Sequence, residues 1–470
     1  MKNIVIFIFL LISLILTSQN KQGLYGFSEL PQSLLLNPGE KVEYEWHLGV
    51  PFASHIQTSY GASGVTLRDI FEDNQVSFND KIQRAVSNLS DTDFFTLNQQ
   101  LEIFSAGFKT GPSYDKDTYL SFGLYQETDA IVYFPKDYAE LLLEGNLNNI
   151  NRVFDLSDLN LRGELISVLH FGYNKRVSKK LTYGFRGKIY SSLATISSIN
   201  NGGTFVTRPG GNNFFQHQFN LDIEIQTSGL KSLINGSNSD PNDNIKEFRR
   251  NLFFGKNLGL GFDVGFTYQF SNQWSMSASL QDVGFIRHSK DIENYELKGN
   301  IIFEGVNPLF SDQTENPSAE GFVEAIAEDF NNLFDLEAAE SKFTTLRPIK
   351  FNSSLTYDFG KENEKDCNCH NTYKPYLNSV GLQLYGIKRP LQPQVALTAF
   401  YYRRLFNILR AKITYTVDTF SSKNIGFGIS GHIGNYNLYA FADNLLEYQN
   451  LANANSISLQ LGLNLIFGQK

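Results

Sequence analysis

The sequence predicts an all-β protein, a transmembrane antiparallel up-and-down β-barrel of about 14 strands (range about 12–18) with short helical insertions. Three observations predict it. Apolar and polar residues alternate over very long runs, aromatic rings carry much of the apolar mass, and the N-terminus reads as an export signal. In NLGLGFDVGFTYQF, residues 257–270, Leu258, Leu260, Phe262, Val264, Phe266, Tyr268 and Phe270 alternate with Gly259, Gly261, Asp263, Gly265, Thr267 and Gln269. Side chains alternate faces along a strand, so such a run has one apolar and one polar face. A strand of a globular domain usually holds about 5–6 residues, whereas crossing a bilayer at a tilt takes about 9–11.

A secreted soluble sandwich is the competing class. The long runs, the Gly- and Ser-rich polar faces with charges inserted, and the rings at run ends (Trp46, Tyr183, Tyr268, Phe270, Trp274) favour the barrel. Hydrocarbon offers the backbone no hydrogen-bond partner, and a sheet closed on itself needs none. Aromatics make up 14% of a chain that is only 41% hydrophobic, which suits strands. The formal charge of −8 and the lack of a Lys/Arg cluster argue against nucleic acid as a partner.

Residues 1–19 read as a signal peptide: Lys2, an apolar core over 4–16, then Thr17-Ser18-Gln19. The core falls short of the roughly 20 residues of a spanning helix, and no later run is long enough. The mature chain is therefore expected in the outer membrane. Residues 20–41 form an N-terminal entry segment ending in LLLNPGEK, whose Asn37-Pro38-Gly39 signals a turn. Residues 42–470 are expected to form a single barrel.

Its strands are expected near 42–52, 55–65, 98–109, 117–128, 161–177, 181–195, 215–226, 257–270, 273–287, 345–358, 376–387, 394–404, 407–417, 423–432, 435–442 and 455–468. In the first, Val42, Tyr44, Trp46, Leu48 and Val50 share the outer face, and Glu43, Glu45 and His47 the inner one. By the same alternation Arg186, Lys188, Asp263 and Lys412 face the lumen. The last strand, SISLQLGLNLIFGQK, is amphipathic with a near-terminal Phe467, like an outer-membrane assembly signal. Short turns at 176–180, 270–273, 404–407 and 434–436 are expected at the periplasmic end. Helical stripes at 80–89, 136–145 and 321–336 each need a cover, either the barrel mouth or a partner.

The lumen candidates Glu43, Glu45, His47, Arg186, Lys188, Asp263 and Lys412 either brace the lumen by opposite charges, the favoured reading, or set selectivity. Cys367 and Cys369, in Cys-Asn-Cys-His, are read as a local disulfide; half a metal site and an ordinary loop stay open. A structural zinc wants four ligands and no second cluster exists, so no metal or cofactor is expected. The seven histidines are scattered and GISGH at 428–432 is not a nucleophile elbow, so no enzyme is expected.

DVGFIRHSKDIENYELKG (282–299), LLLNPG (34–39) and FADNLL (441–446) resemble a Bacteroidota outer-membrane β-barrel family of unknown function, along nearly the whole chain after the signal. More distantly the chain is similar to FadL-like fatty-acid transporters and to the PorP/SprF barrels of type IX secretion and gliding. Gly39 stands where Asn-Pro-Ala is common in those relatives. The resemblance carries over no functional residue. It implies a channel or transporter for a small hydrophobic ligand; the alternative is a non-enzymatic platform for a secreted surface protein or a type IX secretion partner. Outer-membrane lipid is the third expected partner.

Overall fold

The structure, a computed structural model, describes residues 22–468 apart from 73, 113–116, 138, 141–148, 200, 212–213, 231–256, 304–337, 362–375, 407, 419–422 and 450–453. The expected signal peptide, the helix at 321–336 and the Cys367/Cys369 pair lie outside the described residues.

Each long alternating run forms a strand whose large apolar residues face outward and whose small or polar residues face inward. Leu260 is 58% exposed on the outer surface, whereas Asp263 is fully buried. Phe262 and Leu461 also lie on the outside, not in a shared dry core. The strands are Trp46–Gly49 (β1), Ile56–Ala62 (β2), Phe94–Thr110 (β3), Thr118–Tyr133 (β4), Val153–Asp155 (β5), Leu161–Arg176 (β6), Leu181–Ser198 (β7), Gly202–Pro209 (β8), Phe215–Ser228 (β9), Asn257–Gln269 (β10) and Trp274–His288 (β11). They continue with Ile292–Phe303 (β12), Ala338–Ala339 (β13), Phe343–Leu346 (β14), Lys350–Lys361 (β15), Tyr376–Ile387 (β16), Gln394–Phe406 (β17), Leu409–Val417 (β18), Asn424–Ile433 (β19), Tyr436–Asp443 (β20) and Ser456–Phe467 (β21).

Antiparallel pairing runs from β1/β2 through β3, β4, β6, β7, β10, β11, β14/β15 and β16 to β21, then back to β1/β2. The result is a closed barrel of 14 strands. Two wall strands are interrupted. The expected strands 42–52 and 55–65 are one strand in two pieces: residues 50–55 form a bulge, with Phe52 at φ 59° and Ser54 and His55 buried. Its amides still bond to both neighbours, as in Val50 N to Leu463 O and Phe52 N to Ile103 O. β14 and β15 are likewise split, around Arg347. Residues 42–45 precede β1, so Val42 and Tyr44 do not face outward as expected; Tyr44 is fully buried inside, against Leu34 and Tyr119, and Val42 packs on the same cluster.

The turns after β6, β10, β17 and β19 lie at one end, with the end of β21. At the other end β9 leaves β7 and carries β8 and β12, with β5 and β13 beyond them. Of this added sheet the sequence suggested only β9. The inner segment contains a one-turn helix, Ser33–Leu36 (α1). Leu67–Phe71 (α2) and Phe78–Asn88 (α3) follow β2. Ser77 caps α3 by accepting from the Asp80 amide. Its Ala85 and Val86 are buried, Val86 packing with Leu89, Ala139 and Phe134 on the barrel end. At 136–145 the backbone is helical at Lys136, Asp137, Ala139 and Glu140; the rest of that call lies outside the described residues. Among the described residues no helix is long and apolar enough to cross a membrane.

Candidate functional site

Residues 22–44 contribute no strand; they thread the lumen. Leu24, Phe27, Leu30, Asn37 and Tyr44 are fully buried there. A buried backbone needs partners, and wall side chains provide them. Lys412 Nζ donates to the carbonyls of Gln22 (3.1 Å) and Tyr25 (2.7 Å), Gln383 to that of Tyr25 (3.2 Å), and Ser279 to that of Leu36 (2.6 Å). Arg186 donates to the Leu34 carbonyl. Gln32 Nε2 donates to Glu102 and to Asn464, both at 2.9 Å.

The Asn37-Pro38-Gly39 turn rests on the bare backbone of two wall glycines, Gly184 and Gly265, and is held there by the Asn174 side chain. Gly39 N donates to Asn37 Oδ1 (2.9 Å), an Asx turn. Asn174 Nδ2 donates to the carbonyls of Pro38 (2.7 Å) and Glu40 (2.8 Å). A Cβ on Gly184 would lie 1.9 Å from the Pro38 oxygen, and one on Gly265 2.1 Å from Asn37 Oδ1. Only glycine lets the segment approach so closely. Opposite this seat lies an apolar patch: Leu24, Phe27, Leu30 and Leu36 pack with Tyr439 and Phe441 of β20 and with Tyr402 of β17.

Further along the lumen is an ion network. Lys188 Nζ contacts Asp263 Oδ1 (2.9 Å) and Asp282 Oδ1 (2.6 Å), and Arg186 contacts Asp263 Oδ2 (3.3 Å). Lys350 contacts Glu127 (2.6 Å) and Asp282 (2.9 Å). Arg347, fully buried, pairs with Glu164 and with Glu127 (3.2 Å). Arg389 pairs with Asp129 (2.8 Å). The Arg347, Lys350 and Arg389 links join β14, β15 and the β16–β17 turn to β4 and β6, which are not their neighbours in the wall. Arg162 also lies 3.8 Å from Glu164, so every carboxylate of the network faces at least one cation.

Of the sequence candidates, Arg186, Lys188 and Asp263 come together in this network. Lys412 is buried under the inner segment instead. His47 is buried and shares a hydrogen bond with the Tyr119 hydroxyl. Glu43 is half-buried, bonded to Ser28 (3.3 Å) and Arg404 (3.4 Å). Glu45 is half-buried and its amide donates to the Phe467 carbonyl (2.9 Å). Asp282, Arg347, Lys350, Glu127 and Glu164 were missed. One signal was present: Gln281 and Asp282 are adjacent polar residues inside an alternating run. They mark a bulge in which the Asp282 amide donates to Asp263 Oδ1 (2.8 Å). Among the described residues no group of three or more metal-ligating side chains exists.

A family model described as a family of unknown function, DUF5723, matches residues 38–443. No curated protein matches the sequence. Solved structures similar to the chain include the toluene transporter TodX of Pseudomonas putida, at 8% identity and TM-score 0.38 over 95% of this chain and 94% of that one. The toluene transporter TbuX of Ralstonia pickettii is 10% identical, with TM-score 0.39 over 96% and 97%. A FadL homologue of Pseudomonas aeruginosa is 8% identical, with TM-score 0.41 over 97% and 100%.

Proposed function

We propose that this chain, which belongs to the DUF5723 family, is an integral outer-membrane barrel that is closed at rest by its own N-terminal segment and admits a small hydrophobic ligand when that segment withdraws. One observation carries the reading: the segment fills the lumen without contributing a strand. Its carbonyls are held by Arg186, Ser279, Gln383 and Lys412 side chains, so it can leave while the ladder stays complete. An apolar belt that includes Leu258, Leu260, Leu382 and Ile413 supports lipid as the outer partner. The buried apolar patch around Phe27 and Phe441 supports an apolar ligand over an ion. In this reading Arg186, Lys188 and Asp263 brace the lumen.

The second reading is a non-enzymatic platform for a secreted surface protein or a secretion partner, as in the PorP/SprF resemblance. The sheet beyond the barrel end supports it, because Phe154, Phe205 and Leu221 give that sheet its own apolar core.

The test is permeation through nanodisc- or liposome-reconstituted protein, with heat-modifiable gel mobility as the check on a folded barrel. The full chain is expected to be non-conducting in planar bilayers. Deletion of residues 22–37 is expected to leave mobility heat-modifiable and to raise entry of an apolar dye into liposomes. A folded deletion variant that stays impermeable would sink the gated reading and favour the platform.

A further inference from the structure

We infer that the space Phe27 fills between Tyr402 and Phe441 is a ligand site for a small molecule carrying one aromatic ring, an inference that rests on the gated-barrel reading above. Phe27 is fully buried. Its ring meets that of Tyr402 at 5.2 Å between centroids and 81°, and that of Phe441 at 5.2 Å and 78°. Tyr439 flanks Phe441 at 5.6 Å. Both contacts of Phe27 are edge-to-face. That geometry matches the positive edge of one ring to the negative face of another, so it separates a flat ring from a puckered aliphatic ring of equal size.

The cage and its occupant belong to different parts of the molecule. Phe441 lies over Gly428, where a Cβ would come within 2.0 Å of its ring. The Tyr439 hydroxyl is bonded to the Ser54 carbonyl (3.2 Å) and to His55 (2.7 Å). These wall contacts persist when the segment leaves. Phe27, by contrast, sits on the removable segment, and its backbone bonds within it: its amide to Leu24 O and its carbonyl to the Leu30 amide. Elsewhere the segment meets polar wall side chains, such as Asn174, Ser279 and Gln383, and aliphatic or hydrogen-bonded ones, Leu35 against Ile166 and Ile286 and Leu34 against Tyr119 and Ile466; the Phe27 contact sets one segment ring edge-to-face against two wall rings. A ring-bearing solute in the cage therefore replaces the two ring contacts that Phe27 makes to the wall, with Tyr402 and Phe441. It favours the withdrawn state by its differential affinity for that state.

The test uses the full chain in nanodiscs with Cys367→Ser, Cys369→Ser and a single reporter, Ser33→Cys on α1, read by thiol labelling. Ser28→Cys serves as a second reporter if the first misfolds by gel mobility. Benzyl alcohol is compared with cyclohexylmethanol. Benzyl alcohol is expected to speed labelling severalfold and saturably, cyclohexylmethanol not, and Tyr402→Leu is expected to abolish the difference. In Phe27→Leu, saturation-transfer NMR is expected to show benzyl alcohol bound. Equal responses to both alcohols, or discrimination that survives Tyr402→Leu, overturn the inference and leave Phe27 as an anchor. Permeation on deletion of residues 22–37 without alcohol discrimination defeats the cage alone; loss of permeation defeats the gate.

Discussion

Arg347 shows most directly how much one side chain holds. Its guanidinium is fully buried between Glu164, Glu127 and Asp282, in the break between β14 and β15. Removing one member of a buried ion pair strands the others without compensation, at a cost of about 3–5 kcal/mol. Arg347→Met is accordingly expected to lower the melting temperature sharply, and adding Glu164→Gln to recover part of the loss. Equal stability of Arg347→Met and the parent would show the network to be incidental. Little of it was legible in the sequence. Period two places Arg186, Lys188 and Asp263 on the inner face, but pairing between distant strands depends on a strand order that alternation does not encode. Arg347 itself precedes Pro348 in an interruption of the wall, where parity fails.

The inner segment is the element whose role departs most from its sequence appearance. Residues 20–41 read as an approach to the first strand, because no periodicity marks a chain packed on all sides. The Asn-Pro-Gly turn was legible; its seat on Gly184 and Gly265 was not, since those glycines look like ordinary small residues of a lumen face. Gly184→Ala and Gly265→Ala are each expected to unseat the turn and raise labelling at a Ser33→Cys reporter. Gly431→Ala, where a Cβ meets nothing within 4 Å, is expected to leave labelling unchanged. Equal labelling in all three would mean the seat is not what holds the segment. The wall strands themselves were read nearly to their ends, because an outward-facing row of large residues repeats without interruption. β12 was missed because ENYELKGN alternates weakly and carries charge on both faces, Glu293 on one and Glu296 and Lys298 on the other.

Across the molecule, closure of the lumen is expected to depend on pH through groups the segment buries. Burial raises the Glu40 carboxyl above its ordinary value, with nearby Glu43 adding to the shift, against the opposing pull of the Lys41 amide and charge and of Lys412. An acid with a raised folded value docks best when protonated, below the free carboxyl value of about 4.3. That contribution is lost as pH rises through the folded value. Labelling at the same reporter, divided by that of a free thiol at each pH to remove the ionisation of the thiol itself, is expected to increase from pH 4 to pH 8, and Glu40→Gln to flatten the ratio. A profile that Glu40→Gln leaves unchanged would assign the dependence to another group.

The ties from Arg347, Lys350 and Arg389 run between far sides of the cylinder, like spokes set across a wheel. A tube braced in this way resists flattening into an oval, so lateral pressure on its wall does little to widen it. Under the proposed function, a solute is therefore expected to travel along the axis, with the core sliding and the rim holding still.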